Sequence, residues 1–399
     1  MASGPYSVLL RSPAVRWQAL GGLLAQMTQG AGGIGIILVI RSQHGSLALA
    51  GAVVGAVSIA GGLARPAQGR FIDRRGPRGL MTATGIIHPA AVVAIVVLAD
   101  AGAAGGALVA LGVVAGAALP PVSACMRVAW GAASDDGDRT SAYSLVYLTQ
   151  ELSVLTGPLL LSIVVATTNA SAALITVAAV TGVGTLGFAA SLPSTLRAAG
   201  TSSREHGGAV LRAPGVQVLV PAAGLIGAVI GGLVVGVPTF ATEHHAPAAS
   251  GLLMAIVSVG GIIGAAVYGA RRWHAAPTSR LLALLAALTV ATALAVAAPD
   301  LVVLGAALAL VGLPLNPSLT TVSLLLDSHV SAASATEAFG WLSTGIASGT
   351  GLSSALAGAV SHPGDPRPAF VVAAVAAVAA VLLVAASRRR LSAPAVYSR

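Results

Sequence analysis

Apolar stretches of about 20 residues recur along the whole chain, and they constrain its fold more than any other feature. A helix of about 20 residues, with a rise of 1.5 Å per residue, crosses the ~30 Å hydrocarbon core of a bilayer. Only 8% of the 399 residues are charged, whereas soluble proteins average about 25%. The sequence therefore predicts an all-α, polytopic membrane protein. Its twelve predicted transmembrane helices lie at 16–40, 46–68, 79–99, 103–132, 140–166, 170–192, 214–240, 249–270, 280–298, 301–326, 336–360 and 368–387.

The arginines predict the orientation of the chain in the membrane. All 21 basic residues are arginine, and 19 of them fall on one side when the predicted helices are threaded back and forth. Only Arg41 and Arg367 fall on the other side. Because positive charge is retained on the cytoplasmic side, we expect a multi-pass protein of the cell membrane with both termini in the cytoplasm. This placement also accounts for the net charge of +9 without nucleic acid as a partner.

The longest polar interruption divides the chain into two halves of six predicted helices each. We expect a first half at 1–192, a cytoplasmic linker at 193–213, and a second half with a short cytoplasmic tail at 214–399. The halves are weakly similar to each other. At one constant offset, Leu-Pro-Pro at 119–121 matches Leu-Pro-Leu-Asn-Pro at 313–317, and Thr-Gly-Pro at 156–158 matches Thr-Gly-Leu at 350–352.

One short segment between the second and third predicted helices concentrates charge. Residues 69–78, Gly-Arg-Phe-Ile-Asp-Arg-Arg-Gly-Pro-Arg, contain four arginines and one aspartate. Two glycines and a proline predict a tight turn here, not a helix interior. The segment resembles the signature loop of the major facilitator superfamily, Gly-x-x-x-Asp-Arg-x-Gly-x-Arg. Gly69, Asp73, Arg74, Gly76 and Arg78 fill its five fixed positions.

The resemblance implies two six-helix repeats and secondary active transport by alternating access, with the substrate site near mid-membrane between the repeats. In the family, the aspartate of this loop and its neighbouring arginine hold the cytoplasmic side closed against the second half. The resemblance therefore assigns the five motif residues to a cytoplasmic gate. The corresponding segment of the second half, Gly-Ala-Arg-Arg at 269–272, lacks the aspartate, so the latch is expected to be one-sided.

Glu151 is the most informative ionisable residue. It lies about 12 residues into the fifth predicted helix, which places it ~18 Å deep at 1.5 Å per residue. A charged carboxylate at this depth costs at least ~2.5–3.5 kcal/mol. A carboxylate balanced between desolvation and a nearby cation can load and release a proton, which predicts a role in proton coupling or in recognition of substrate charge. The alternative is a permanent ion pair that joins the fourth and fifth helices.

Arg127 is the expected partner of Glu151. The fourth predicted helix runs towards the cytoplasm, which leaves Arg127 about two turns from its cytoplasmic end. Arg-Val-Ala-Trp-Gly at 127–131 resembles the Arg-x-x-x-Gly motif of proton-coupled members of the superfamily. The resemblance implies that Arg127 takes part in proton translocation. The alternative is an arginine that extends along the helix to the lipid headgroups.

Several other residues are candidates for bending a helix or lining a cavity. Gly157 and Pro158 resemble the end of the Gly-Pro motif of drug antiporters, and we expect them to bend the fifth helix. Polar and aromatic residues predict a cavity wall, although each of them can instead form an interhelical hydrogen bond. Most of the wall would be Ala, Val, Leu and Gly, which favours a lipophilic or moderately polar substrate. The predicted cavity residues are Gln26 and Gln29, which share a face of the first helix, Tyr147 and Gln150, Asn316 in a proline-broken tenth helix, and Phe339 and Trp341.

Together these features predict a bacterial inner-membrane antiporter that exports a drug or metabolite in exchange for protons, and so contributes to drug resistance. A proton symporter or facilitator that imports a small metabolite is the alternative within the same fold. A non-transporting membrane sensor or enzyme is a more remote alternative, since no phosphate-binding loop or nucleophile motif is present. His244 and His245 have no matching cluster of ligands. We therefore expect no metal and no cofactor. The resemblance to the superfamily implies a monomeric protein.

Overall fold

The computed structural model describes residues 11–43, 47–132, 134, 139–192, 209–246, 249–331, 334–361 and 367–392. Within these ranges the regular structure is helical and contains no β-strand. The first helices are α1 (Pro13–Ala25), α2 (Met27–Ser42), α3 (Leu47–Arg75), α4 (Pro77–Asp100), α5 (Gly105–Ala117), α6 (Val122–Ala132), α7 (Arg139–Thr167) and α8 (Ala170–Ser191). They are followed by α9 (Ala209–Arg212), α10 (Pro214–Glu243), α11 (Ala249–Ala270), α12 (Pro277–Val296), α13 (Leu301–His329), α14 (Ala335–Val360), α15 (Arg367–Ala386) and α16 (Arg388–Ser392).

Helices long and apolar enough to cross a membrane follow one another along the chain, which confirms the all-α membrane fold. In the described part of the chain, 11 segments meet both requirements. The first combines α1 and α2 as Pro13–Ile40, and the fourth combines α5 and α6 as Gly105–Gly131. The predicted eleventh span is α14, which has 26 residues but is rich in Ser, Thr and Gly. With α14 included, these helices account for all twelve predicted spans.

Contacts between helices group the described residues into two compact units. The first unit contains the described residues of 7–133 and 149–202, and the second contains those of 134–148 and 203–399. The first part of α7 therefore groups with the second half of the chain. Residues 193–208 of the predicted linker at 193–213 lie outside the described residues. The short helix α9 lies near the end of this linker. The predicted boundaries of the halves stay a prediction.

Most helix pairs of the first unit have a counterpart at the corresponding spans of the second unit. In the first unit, α8 packs against α1, α2 and α4, and α5 packs against α3 and α4. In the second unit, α10 packs against α14 and α15, α11 against α13, and α12 against α13 and α15. Association of helices in lipid depends on close van der Waals packing. The buried core of the first unit supplies such packing and includes Val39, Val53, Val92, Ile95, Leu108 and Leu174.

The charged segment after the second span is helical, so the prediction of a turn over residues 69–78 was wrong. Helix α3 continues to Arg75, and α4 begins at Pro77. The connection is the single residue Gly76, with φ 83° and ψ 162°, a region of backbone conformation that is essentially restricted to glycine. Proline is favoured at the first position of a helix, where no N–H is required. One Gly-Pro pair therefore suffices for the reversal, and Gly69 remains in the helix interior.

The prolines of the fourth and tenth spans have different effects. Span 4 is interrupted between α5 and α6, where Pro121 disfavours the helical conformation of the residue before it, Pro120. Helix α13 continues through Pro314 and Pro317, so the prediction of a broken tenth span was wrong. These prolines are three residues apart, and two hydroxyl groups bond to their carbonyls. Ser318 Oγ donates to Pro314 O and Thr321 Oγ1 donates to Pro317 O, each at 2.7 Å.

Gly157 lies where α7 passes close to α2. Helix α7 is continuous from Arg139 to Thr167, with Pro158 inside it. A Cβ atom built on Gly157 would lie 2.6 Å from the carbonyl oxygen of Met27. Any larger residue would therefore push the two helices apart. Close packing accounts for this glycine, and bending of α7 at Gly157 and Pro158 stays a prediction.

Candidate functional site

The signature segment is anchored to the end of α8 by its last arginine. Arg78 Nε donates to the Leu192 carbonyl at 2.9 Å, and its Nη2 also donates to that carbonyl and to Ala190 O at 3.5 Å. The last carbonyls of a helix have no intrahelical partner and carry partial negative charge, which an arginine complements. Arg78 therefore ties the start of α4 to the end of α8 within the first unit.

The other motif residues have distinct environments on α3 and at its end. Gly69 and Gly76 are buried, Asp73 is half-buried and Arg74 is exposed. Asp73 also lies near enough to Cys125 of α6 for the two groups to interact electrostatically. Its carboxylate is thus associated with the interior of the first unit. The gating role of these residues stays a prediction.

The connection between α5 and α6 has carbonyl groups that receive hydrogen bonds from other helices. Pro121 has no N–H and cannot donate to the Ala117 carbonyl four residues earlier. Gln68 of α3 donates to it instead, with its Nε2 at 2.8 Å, and to the Leu119 carbonyl at 3.2 Å. The Gln68 side chain is buried. Its bonds therefore replace the missing helical bond and the hydrogen bonds that water would otherwise make to these carbonyls. No local sequence pattern indicates this role, because the partners are about 50 residues apart.

Two more side chains bind the same connection. The Leu119 N–H bonds to the Gly116 carbonyl at 3.0 Å, which leaves the Ala115 carbonyl without its regular helical donor. The Nδ1–H of His88, from α4, donates to that carbonyl at 2.8 Å. Arg65 of α3 reaches the Pro120 carbonyl with Nη1 at 3.4 Å. Three polar side chains from two neighbouring helices thus hold the interrupted span in place.

Arg127 lies on α6, within the first unit. Its side chain is only 2% exposed. This burial contradicts the alternative in which Arg127 extends to the lipid headgroups. Gln26 lies nearby at the break between α1 and α2, is 1% exposed, and approaches Met126 Sδ with its Nε2 at 4.0 Å. The same Nε2 donates to the Gly22 carbonyl at 2.9 Å.

Glu151 is half-buried on the part of α7 that belongs to the first unit, as is its neighbour Gln150. Ser153, half a turn further along, donates from Oγ to the Leu23 carbonyl at 2.8 Å. This bond and the approach at Gly157 align α7 with α1 and α2. The two predicted proton-coupling residues, Glu151 and Arg127, therefore belong to the same compact unit.

Gln26 and Gln29 do not share one helix face as predicted. The first span turns at Gln26, and Gln29 N–H bonds to the Gln26 carbonyl at 2.9 Å. Gln26 is buried whereas Gln29 is exposed. No local sequence signal such as proline marks this interruption, which is why a continuous helix was expected.

In the second unit, the predicted cavity residues on α7, α13 and α14 lie on helices joined by polar and aromatic contacts. Tyr147 OH donates to the Leu319 carbonyl at 3.2 Å and lies 3.1 Å from Ser323 Oγ. Phe339 packs edge-to-face on Tyr143, with ring centroids 5.9 Å apart. Asn316 is 2% exposed on α13.

Two acidic residues near these contacts were not predicted as site residues. Glu337 at the start of α14 is 7% exposed and accepts a hydrogen bond from Trp341 Nε1 at 3.3 Å. Asp327 near the end of α13 accepts from Arg139 Nη1 at 3.0 Å and forms an ion pair with it. Both acids lie two residues from the end of a helix, where the cost of a charge in a membrane is lower than at the mid-membrane depth that singled out Glu151.

The segment of the second unit that lacks the signature aspartate is stabilised by aromatic rings. The Trp273 ring packs 4.8 Å from that of Tyr268, and its Nε1 donates to the Tyr268 carbonyl at 2.8 Å. The guanidinium of Arg271 lies 5.0 Å and that of Arg280 5.8 Å from the Trp273 ring centre. Arg280 also donates to Tyr268 OH at 3.0 Å. Cation–π contacts therefore order the arginines at this position.

The histidine pair considered as a metal site has another arrangement. His244 stacks on Phe240 with ring centroids 4.1 Å apart, and its two ring nitrogens lie 2.9 Å from Phe240 O and 3.2 Å from Pro299 O. Within the described ranges, no group of three or more His, Cys, Asp or Glu residues is arranged to hold a metal ion.

The helix order and the signature segment agree with a comparison against protein families. The model of the Major Facilitator Superfamily matches residues 19–336, which is most of the chain. The chain belongs to the major facilitator superfamily. It is therefore a multi-pass membrane transporter of a small-molecule substrate and not an enzyme. No curated protein sequence matches the chain significantly.

Solved structures of superfamily transporters share the fold over nearly the whole chain. A bacterial homologue of the iron transporter ferroportin, in an outward-facing state, superposes with a TM-score of 0.79 at 16% identity, covering 94% of this chain and 99% of that chain. The human organic anion transporter MFSD10 has a TM-score of 0.72 at 15% identity, covering 94% of this chain and 100% of that chain. The proton:xylose symporter XylE has a TM-score of 0.71 at 14% identity, covering 96% of this chain and 95% of that chain. At these identities the similarity concerns the fold alone.

Proposed function

We propose that this transporter works by alternating access and exports a lipophilic or moderately polar drug or metabolite in exchange for protons. The observation that carries the proposal is the burial of Arg127 in the same compact unit as the half-buried acid Glu151. A buried guanidinium is always charged and requires compensation by a nearby anion or by hydrogen bonds. Its charge favours the ionised form of a neighbouring carboxylate, and desolvation favours the neutral form.

In the proposed cycle, Glu151 takes up a proton when the site is open to the outside and loses it when the site is open to the cytoplasm. Substrate that enters from the cytoplasm competes with the proton for the region around Arg127. Substrate binding therefore releases the proton to the cytoplasm, and protonation from outside releases the substrate. Gln26 and Gln150, which belong to the same unit, are the proposed polar contacts for the substrate. Gln29 of the first unit and the cavity candidates of the second unit are further proposed substrate contacts: Tyr147, Asn316, Phe339 and Trp341.

Proton release caused by substrate tests this mechanism. The purified protein is mixed with a panel of amphipathic compounds in weakly buffered detergent solution, and released protons are measured with a pH dye. We expect release by wild type and none by Glu151→Gln, since the amide has no proton to exchange. Glu243→Gln is the matched control, because Glu243 is an exposed acid at the end of α10, and it should behave like wild type.

Glu337→Gln distinguishes the half-buried Glu151 of α7 from the buried acid at the start of α14. Unaltered proton release by Glu151→Gln would contradict the proposal, and loss of release in Glu337→Gln alone would place the coupling acid on α14 instead. If neither acid matters, the coupling ion is not a proton carried by these residues.

The proposed orientation has both termini in the cytoplasm and the signature segment at the cytoplasmic side. The support for it is the distribution of the 21 arginines and the effect of positive charge on topology. Cysteine labelling tests it directly in intact cells. In a Cys125→Ser background, a cysteine at position 43 should react with a membrane-impermeant maleimide from outside, and a cysteine at position 75 should not. The reverse pattern would overturn the orientation.

A further inference from the structure

The exposed side of α3 carries a basic groove near the end of the helix. Its lining consists of Ala67, Arg70, Phe71, Arg74 and Arg75, and it encloses about 370 Å³. Spacings of three, four, seven and eight residues place these side chains on one face of the helix. The groove therefore follows from the helical continuation of α3 to Arg75, and a turn over the same residues would not form it.

The described residues that line the groove carry only positive charge. Three of these five residues are arginines, and none of the five is acidic. Arg75 lies over the Phe71 ring, with its guanidinium carbon 5.1 Å from the ring centre, so Phe71 positions one of the three cations. Asp73 of the same helix is not among the described residues that line the groove.

We propose that this groove binds the phosphate of an anionic phospholipid in the cytoplasmic leaflet. The inference rests on the orientation proposed above and does not depend on proton coupling. Helix α3 is part of a membrane span that ends at Arg75, so the arginines of its last turns lie at the level of the headgroups. Arginine binds phosphate oxygens through its planar fork of N–H groups, and basic pockets on the cytoplasmic side are suited to anionic headgroups.

The shape of the groove also fits a lipid. A volume of about 370 Å³ is in the range of small-molecule sites, which begins at roughly 300 Å³, and holds a glycerol phosphate group. Phe71 remains 36% exposed and offers an apolar surface beside the arginines for the glycerol and the first acyl carbons. Ala67 lies one turn further into the membrane and leaves room for the chains.

The proposal is tested by lipid binding to the purified protein. Native mass spectrometry would count phosphatidylglycerol and phosphatidylcholine molecules retained by wild type and by the Arg70→Gln/Arg75→Gln double variant. At about 1 kcal/mol per arginine near an anionic surface, the double variant should bind phosphatidylglycerol roughly 30-fold more weakly, with phosphatidylcholine unaffected. The matched control is Arg271→Gln/Arg272→Gln, which removes two exposed arginines from the second unit and should retain the lipid.

Two further measurements keep the outcome interpretable. Arg70→Lys/Arg75→Lys keeps the charge but loses the planar forks, so its affinity should fall between those of wild type and the glutamine variant. Competition with inorganic phosphate and with soluble glycerol phosphate identifies the source of the anion. Equal lipid retention by wild type and the glutamine variant would overturn the proposal. Tight binding of inorganic phosphate alone, with the same dependence on the arginines, would replace the lipid by a free phosphate.

Discussion

Replacing Gln68 by leucine removes the side chain that holds the connection between α5 and α6. Gln68 Nε2 donates to the carbonyls of Ala117 and Leu119 at 2.8 and 3.2 Å. Leucine has a similar volume and no donor, so both buried carbonyls lose this bond. Helix–helix hydrogen bonds in membranes contribute about 0.6 kcal/mol on average and up to ~1.7 kcal/mol. An acceptor that is left unsatisfied costs about 1–3 kcal/mol.

Because of Pro121, we expect a cost in the range of about 1–3 kcal/mol for an unsatisfied acceptor. The Ala117 carbonyl cannot regain its regular helical bond, because the residue four positions later has no N–H. We therefore expect Gln68→Leu to lower the free energy of unfolding by about 2 kcal/mol. For a unit of this size, this corresponds to a decrease in melting temperature of roughly 4–8 °C.

The assay is thermal unfolding of the purified protein in detergent, followed by circular dichroism. Gln217→Leu is the matched control, because Gln217 is an exposed glutamine of α10 and its replacement should change the melting temperature little. The reasoning would be refuted if Gln68→Leu melted at the same temperature as the control.

Three other substitutions test the signature segment. Gly76→Ala places a side chain on a residue with φ 83° and ψ 162°, which should destabilise the protein by about 1–3 kcal/mol. The same unfolding assay measures this effect, and a wild-type melting temperature would contradict the conformational argument. Arg78→Ala removes the bonds to the end of α8 and should lower the free energy of unfolding by about 1 kcal/mol, whereas Arg78→Lys should lose only part of this stability; an Arg78→Lys variant as stable as wild type would rule out a role for the planar fork. Asp73→Asn should leave insertion into the membrane intact and lower the transport rate, since an acid contributes nothing to cytoplasmic retention, and a normal rate would exclude Asp73 from the gate.

Hydropathy alone was sufficient to predict most helices. Predicted span 249–270 coincides with α11, and 170–192 differs from α8 by one residue. The length and apolar composition of a span are properties of the local sequence, and the bilayer fixes the length that is required. Helix α14 is rich in Ser, Thr and Gly, and some of these residues make interhelical contacts. Thr350 and Ser353, for example, donate to carbonyls of α10 at 3.0 and 2.6 Å.

Where helices are interrupted could not be predicted as well. Proline and glycine were treated as local signals, but their effect depends on the surrounding structure. Pro314 and Pro317 stay within α13, whereas Pro121 lies at the interruption between α5 and α6. Gln26 interrupts the first span although it is neither proline nor glycine.

The candidate site was predicted in outline. The cost of charge in the membrane identified Glu151, and a motif resemblance identified Arg127. The structure places both in one unit. It also adds Gln68, His88 and Glu337, whose partners or burial depend on packing and not on sequence patterns. The depth criterion that identified Glu151 does not identify Glu337, which lies at the start of α14, and the hydrogen bonds of Gln68 and His88 join residues 27 to 51 positions apart.

The coupling of transport to protons is tested most directly in proteoliposomes with an imposed pH gradient. The compound that gives the largest proton release serves as the transported probe, and its uptake is measured with the lumen acidic, alkaline or at the external pH. Exchange with protons predicts accumulation only when the lumen is acidic, and no accumulation by Glu151→Gln. Accumulation with an alkaline lumen would indicate symport, and accumulation by Glu151→Gln at the wild-type rate would contradict the assignment of the coupling residue.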